Sequence, residues 1–355
     1  MASRRDFLAG LLAASASPIV SWADAENPSY LSAARKPDGS FVLVGLAGNG
    51  DPVFEIPLPG RGHAAAAHPQ QPLAVAFARR PGRFALVINC VTGQIDHRID
   101  APKGRHFYGH GTFSDDGSLL FTTENDYDAA RGRIGVWDAR HGYRRVDEFS
   151  SGGVGPHDLK LMPNGRALVV ANGGIETHPE SGRTKLNIPT MRSNLSYLSL
   201  DGSVLEQVEL DASLRRASLR HLAVRSDGMI VVGCQWQGPQ DTVPLVYTHQ
   251  SGTELHALAP VDPYVDLKSY VGSVALSGDG TLIAATSPRS NTVLLHDVAS
   301  RSTRAFTQPD VCGAAASARG IALTTGTGAF LRTQTGLPNV TAKAGIAFDN
   351  HLVAI

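Results

Sequence analysis

Cysteine is scarce in this 355-residue chain, and what is present lacks a motif. Cys90, Cys234 and Cys312 are the only three, and none forms a CxxC or CxxCH pattern. A thioredoxin-type centre and a covalently attached c-type haem therefore have no support. An odd number of thiols leaves at least one unpaired, and all three lie in or at the end of apolar stretches, which favours buried free thiols. An excess of charge is also missing. Lysine plus arginine and aspartate plus glutamate stand at 32 each, so no overall field draws the chain to nucleic acid or to an anionic membrane. No Gly-x-Ser-x-Gly elbow, phosphate-binding glycine loop or basic aromatic patch occurs. Ser/His/Asp and Cys/His triads stay open, although no cysteine has an activating partner nearby in sequence. Long amphipathic helical stretches are missing as well.

Glycine (37) and proline (21) are abundant. Together with the want of helical periodicity they favour many short strands joined by tight turns, an all-β fold. One stretch sets the plan. Gly109-His110-Gly111-Thr112-Phe113-Ser114-Asp115-Asp116-Gly117 reads as a strand and an Asp-Gly turn, expected to be a two-residue hairpin, leading into a second apolar strand at 118–123. The unit recurs from His157 to Gly165, from His221 to Gly228 and from Ser273 to Gly280.

The first 25 residues read as a twin-arginine signal peptide. Ser3-Arg4-Arg5-Asp6-Phe7-Leu8 precedes an apolar run over 8–16 that is short for a membrane span, and Ala23-Asp24-Ala25 offers a cleavage site. This predicts export to the periplasm by the Tat route, with no membrane span after signal removal and one domain over 26–355. Three strands are expected at 30–36, 40–46 and 52–58, and four-strand units follow from 63 onward. The unit near 312–340 is degenerate, and a last inner strand lies in 345–355. Four strands per unit, repeating every 32–64 residues, is the pattern of a β-propeller blade. Seven blades are expected, the last closed by N- and C-terminal strands together, with six or eight as alternatives. Closure removes an open sheet edge.

In a propeller, the first strand of each blade lines the central channel, and the loop between strands two and three opens on the face where that strand begins. His63, His110, His157 and His221 stand at first-strand starts in four consecutive units, with His106 just ahead of its strand, so all five are candidate metal ligands. The second-to-third loops bring Glu124, Asn125, Asn172, Glu176 and His178 to the same face as candidate cofactor contacts. Imidazole with carboxylate suits iron, copper, zinc or manganese, and imidazole serves equally as a general acid or base. One count opposes a common site: His110 and His221 lie seven residues before their turn glycine, but His157 lies eight. Since side chains alternate along a strand, that offset turns one of them away. The bland alternative is hydrogen bonding within or between blades. His68, His97, His141, His249 and His256 read as surface residues.

Gly109-His110-Gly111-Thr112-Phe113-Ser114, Thr122-Thr123-Glu124-Asn125-Asp126, Gly155-Pro156-His157-Asp158, Leu219-Arg220-His221-Leu222-Ala223 and above all Gly173-Gly174-Ile175-Glu176-Thr177-His178-Pro179 resemble a bacterial family catalogued as domain of unknown function 1513. The resemblance implies an exported propeller of the YVTN and quinoprotein-dehydrogenase-like type. It implies a setting of iron acquisition beside imelysin-like or di-haem peroxidase-like proteins. It supplies no catalytic residues. The reading is then a monomeric periplasmic propeller that binds a transition metal, iron foremost, at the channel mouth. A propeller enzyme (metal-assisted hydrolase, lactonase or oxidoreductase) is the alternative, and a non-catalytic interaction scaffold is the third.

Overall fold

The computed structural model describes residues 20–79, 82–239, 243–259, 261, 265–333, 339–343 and 345–355. The twin-arginine stretch at 3–8 lies outside them. Seven four-stranded antiparallel sheets follow one another around a central axis. The first blade pairs the C-terminal strand Ala347–Ala354 with Tyr30–Arg35, which continues into Phe41–Leu46 and Pro52–Leu58. The inner strands of blades two to seven are Gly62–Ala67, Arg105–Phe113, Pro156–Leu161, Ala217–Val224, Ser273–Leu276 and Val311–Ser317. The expected seven blades and their closure by both chain ends are thus present. The unit read as degenerate forms a full four-stranded blade, ending in Asn339–Lys343.

Burial explains why these segments became strands. The second strands are apolar on both faces because they lie between neighbouring sheets. Ala167–Asn172 and Leu282–Ser287 are buried throughout, whereas the outermost Ile95–Asp100 is exposed at five of its six positions. Inner strands carry small side chains, as in Gly-His-Ala-Ala-Ala-Ala at 62–67, since seven of them crowd one axis. The Asp-Gly turns differ from the expected two-residue hairpin. Ser114 N–H donates to Leu119 O at 2.9 Å and Gly117 N–H to Ser114 O at 2.9 Å, so residues 115–118 form a longer loop. Gly117 holds its left-handed position at φ 68°, and the Asp116 carboxylate accepts from Ser118 N–H at 3.0 Å. Among the described residues no helix is long and apolar enough to cross a membrane.

A further local feature positions the site. Six of the seven inner strands carry a register shift against the second strand, at 62/65, 107/111, 156/158, 219/221, 311/314 and 348/352. A β-bulge adds backbone without a pairing partner and re-aims the side chains it carries.

Candidate metal centre

The bulges resolve the one-residue offset. His63, His110, His157 and His351 lie inside the bulged segments of their strands, and His221 closes the bulge of its own. Strict alternation no longer applies there, and five imidazoles from five blades turn to one point in the channel. Ring centroids are 4.6 Å apart for His63–His351, 5.2 Å for His351–His221, 4.9 Å for His221–His157 and 6.0 Å for His157–His63. His110 packs against all four, at 5.1, 4.7, 6.3 and 5.0 Å from His63, His351, His221 and His157. Two triads, His63–His110–His351 and His110–His157–His221, each hold ring nitrogens within 4.8 Å of one another. His110, His221 and His351 are at least nine-tenths buried, while His63 and His157 are partly exposed.

His351 went unrecognised as a ligand in the sequence. Its turn-glycine ruler does not apply, because the strand is the last of the chain. A signal is nonetheless there: His351-Leu352-Val353 repeats the pattern of His221-Leu222-Ala223. Gly109 is required on two grounds. It sits at φ +100°, and a Cβ at this position would run into the His63 ring.

Burial holds His63, His157 and His351 well below the ordinary imidazole value, and the fields of neighbouring His and Arg groups add to this; His221 is pushed down to about 3 by burial and then His110. These rings are therefore neutral at pH 7 and keep a lone pair. Nδ1 of His63, Nε2 of His110, both nitrogens of His221 and Nε2 of His351 are buried without a hydrogen-bond partner. Such orphaned groups cost roughly 1–3 kcal/mol each when nothing satisfies them.

Asp158, the neighbour of His157, was also passed over. Its Oδ1 lies 3.2 Å from His110 Nδ1, which leaves Nε2 to face the cluster. Leu159 N–H (2.9 Å) and Leu222 N–H (3.0 Å) donate to its two oxygens, and Lys160 Nζ stands 3.3 Å away. Burial pushes this carboxyl up, but Lys160 and His110 outweigh it and hold the group below the ordinary carboxylate range. A carboxylate behind a histidine fixes ring orientation and raises the basicity of the outward nitrogen.

The remaining sequence candidates lie elsewhere. His106 is inside its strand, with Nδ1 3.0 Å from Phe107 O and Nε2 3.1 Å from Asn125 Nδ2, and Asn125 also donates to Thr177 O at 3.0 Å. Asn172 is held by Ser151, Asn194 and Ser196. Glu124 is not in a loop: its strand runs Leu119–Asp126, and its carboxylate is fully buried against Arg145 at 2.6 and 3.0 Å. Glu176 N–H donates to Asn187 Oδ1 at 2.8 Å, and His178 Nε2 meets Asp128 at 3.2 Å. None of these joins the five-histidine cluster. Two histidines read as surface residues are buried instead. His68 accepts from Gln70 and Gln71 N–H, and His249 bonds Tyr197 at 2.7 Å and Thr253 O at 3.1 Å, so each stitches a turn.

The sequence profile described as "Protein of unknown function (DUF1513)" matches residues 56–355, and the chain belongs to that family. No curated protein matches it in sequence. Among solved structures, hydrazine synthase of Kuenenia stuttgartiensis is similar at a TM-score of 0.62 and 15% identity, over 87% of this chain and 96% of that one. At that identity the likeness is one of fold.

Proposed function

We propose that this DUF1513-family propeller is a transition-metal-binding protein whose centre is formed by His63, His110, His157, His221 and His351. The observation that carries the reading is the convergence of five imidazoles, four of which (His63, His110, His221 and His351) keep a buried ring nitrogen with no hydrogen-bond partner. Imidazole sets suit iron, copper, zinc and nickel, and no thiolate belongs to this one. Iron is the metal we put first, because the family resemblance suggests an iron-acquisition setting. The role we propose is holding and passing on metal in the periplasm alongside imelysin-like or di-haem peroxidase-like partners.

In this reading each residue has a task. His110 Nε2 is aimed by Asp158 behind it, and His221 and His351 close the inner side of the cluster. His63 and His157 are its two partly exposed members, and the Arg220 guanidinium reaches His157 Nδ1 at 3.4 Å. The bound metal would supply a positive centre that satisfies the orphaned nitrogens.

The test is metal analysis of the purified mature protein and of the five single His→Ala variants. About one ion per chain is expected, with loss in His110→Ala, whose ring belongs to both triads. Unchanged metal content in all five variants would sink the idea. A metal-assisted enzyme is the second reading. A cavity beneath the cluster favours it, and turnover on a panel of lactones and redox dyes would select it.

A further inference from the structure

Two of the seven blades give no histidine at this level. The sixth and seventh present Ser273 and Ala314 instead, and the cluster is open on that side. A cavity of about 60 Å³ fills the opening, lined by His110, His221, His351, Asp158, Lys160 and Ser273. That is room for several waters or one ligand of a few heavy atoms. Below it lies a vestibule of about 350 Å³ that shares Ala65, Gly111, Lys160, Leu222 and Ala314 with the cavity wall. The vestibule is walled mostly by alanine, glycine, valine and leucine, with Lys160 as its one charged side chain.

Charge balance says what such a ligand must be. Imidazole ligands bring no negative charge, so a divalent ion held by this cluster is left uncompensated in a buried site, which is costly. Asp158 does not compensate it, because the carboxylate is already matched by Lys160 and bonded to two backbone N–H groups. Asp349, the other nearby carboxylate, is held by Arg61 at 2.6 Å and Arg79 at 3.1 Å. Among the described residues, Asp158 is thus matched one to one and Asp349 faces two guanidiniums, which leaves no free carboxylate for a metal.

We propose that the cavity beneath the histidines binds a small monovalent anion of roughly two to four heavy atoms as a further ligand of the metal, admitted through the alanine-lined vestibule and faced by the Lys160 ammonium. The inference rests on the metal-binding reading. It adds the class of molecule the centre meets and the face from which it arrives. Larger anions are excluded by the cavity.

The experiment uses the full mature protein loaded with cobalt(II), with azide as the probe. Metal content is measured first, and azide is then titrated against the visible absorption of the cobalt. Saturable spectral change is expected in the wild type and none in the metal-free protein. Ala65→Leu, which fills the cavity, is expected to weaken azide at least tenfold at unchanged metal content, and Lys160→Met, which also unpairs Asp158 behind His110, about tenfold per ion still bound. Full metal with a spectrum indifferent to azide overturns the proposal and leaves the metal reading standing. Equal azide affinity in the wild type and both variants overturns the assigned cavity. Failure to take up any metal overturns both.

Discussion

Two buried polar clusters of this molecule make an instructive pair. In the third blade, Glu124 is fully buried and its carboxylate is fully answered: Arg145 grips both oxygens, Thr122 donates at 3.1 Å and Arg105 stands at 3.4 Å. Trp137 donates to the Thr122 hydroxyl at 2.9 Å and its ring packs under Arg145. Glu148 completes the set, its carboxyl held down at about 2, chiefly by its hydrogen bonds to Arg105. In the channel, five histidines are packed as closely, yet ring nitrogens of His63, His110, His221 and His351 have no partner. A cluster that satisfies itself holds a blade together. A cluster that leaves donors and acceptors unanswered in the same interior is, in the reading proposed above, kept for an ion.

The difference can be tested from both sides. Removing the glutamate should be the largest effect: Glu124→Ala strands Arg145 and Arg105 and is expected to lower unfolding stability by about 3–5 kcal/mol in urea titrations, with metal content unchanged. His110→Ala should do the reverse, with little stability change in the metal-free protein and loss of bound metal. If both variants lose stability and both keep metal, the two clusters are alike and the comparison fails.

Gly109→Ala comes next. It places a side chain at φ +100° and against the His63 ring, so about 1–3 kcal/mol of stability and part of the metal affinity should go together. Retention of full affinity would show that His63 is not needed at its present position. Asp158→Asn is expected to reduce metal affinity by about 10–100-fold in chelator competition while the fold survives, because the substitution removes the charge that orients His110.

The smallest and broadest effect is the pH dependence of the metal-free protein. His221 titrates near 6.5 in an unfolded chain and at about 3 in the folded one, with His63, His157 and His351 shifted the same way. Above 6.5 the neutral ring is favoured in both states, and this contribution to stability is complete. As pH falls below 6.5, the unfolded chain takes up protons that the folded channel refuses, so stability drops down to about pH 3. His221→Ala should flatten that fall in thermal melts between pH 7 and 4. An unchanged slope would mean the ring takes up its proton readily in the folded channel.

Much of the fold was legible because blades repeat a local code. Apolar second strands, Asp-Gly loops and the histidine near the head of four successive units are short-range features, readable without knowing what packs where. The candidate site was legible only in part, for reasons visible at three residues. His157 looked misplaced by one position because alternation was applied through a bulge. Glu124 looked like a loop ligand because its strand runs longer than the apolar pattern that marks it. His351 was missed because its partner strands lie at the opposite end of the chain.

The amino-acid order by itself determined the seven-blade propeller and put a histidine near the head of four successive inner strands, since strand, turn and period are set by neighbours a few residues apart. The tertiary structure alone decided that five histidines share one point. Their convergence depends on bulges whose register is imposed by the adjacent strand, on His351 arriving through the closing blade, and on Asp158 holding the ring of a histidine in the blade next door.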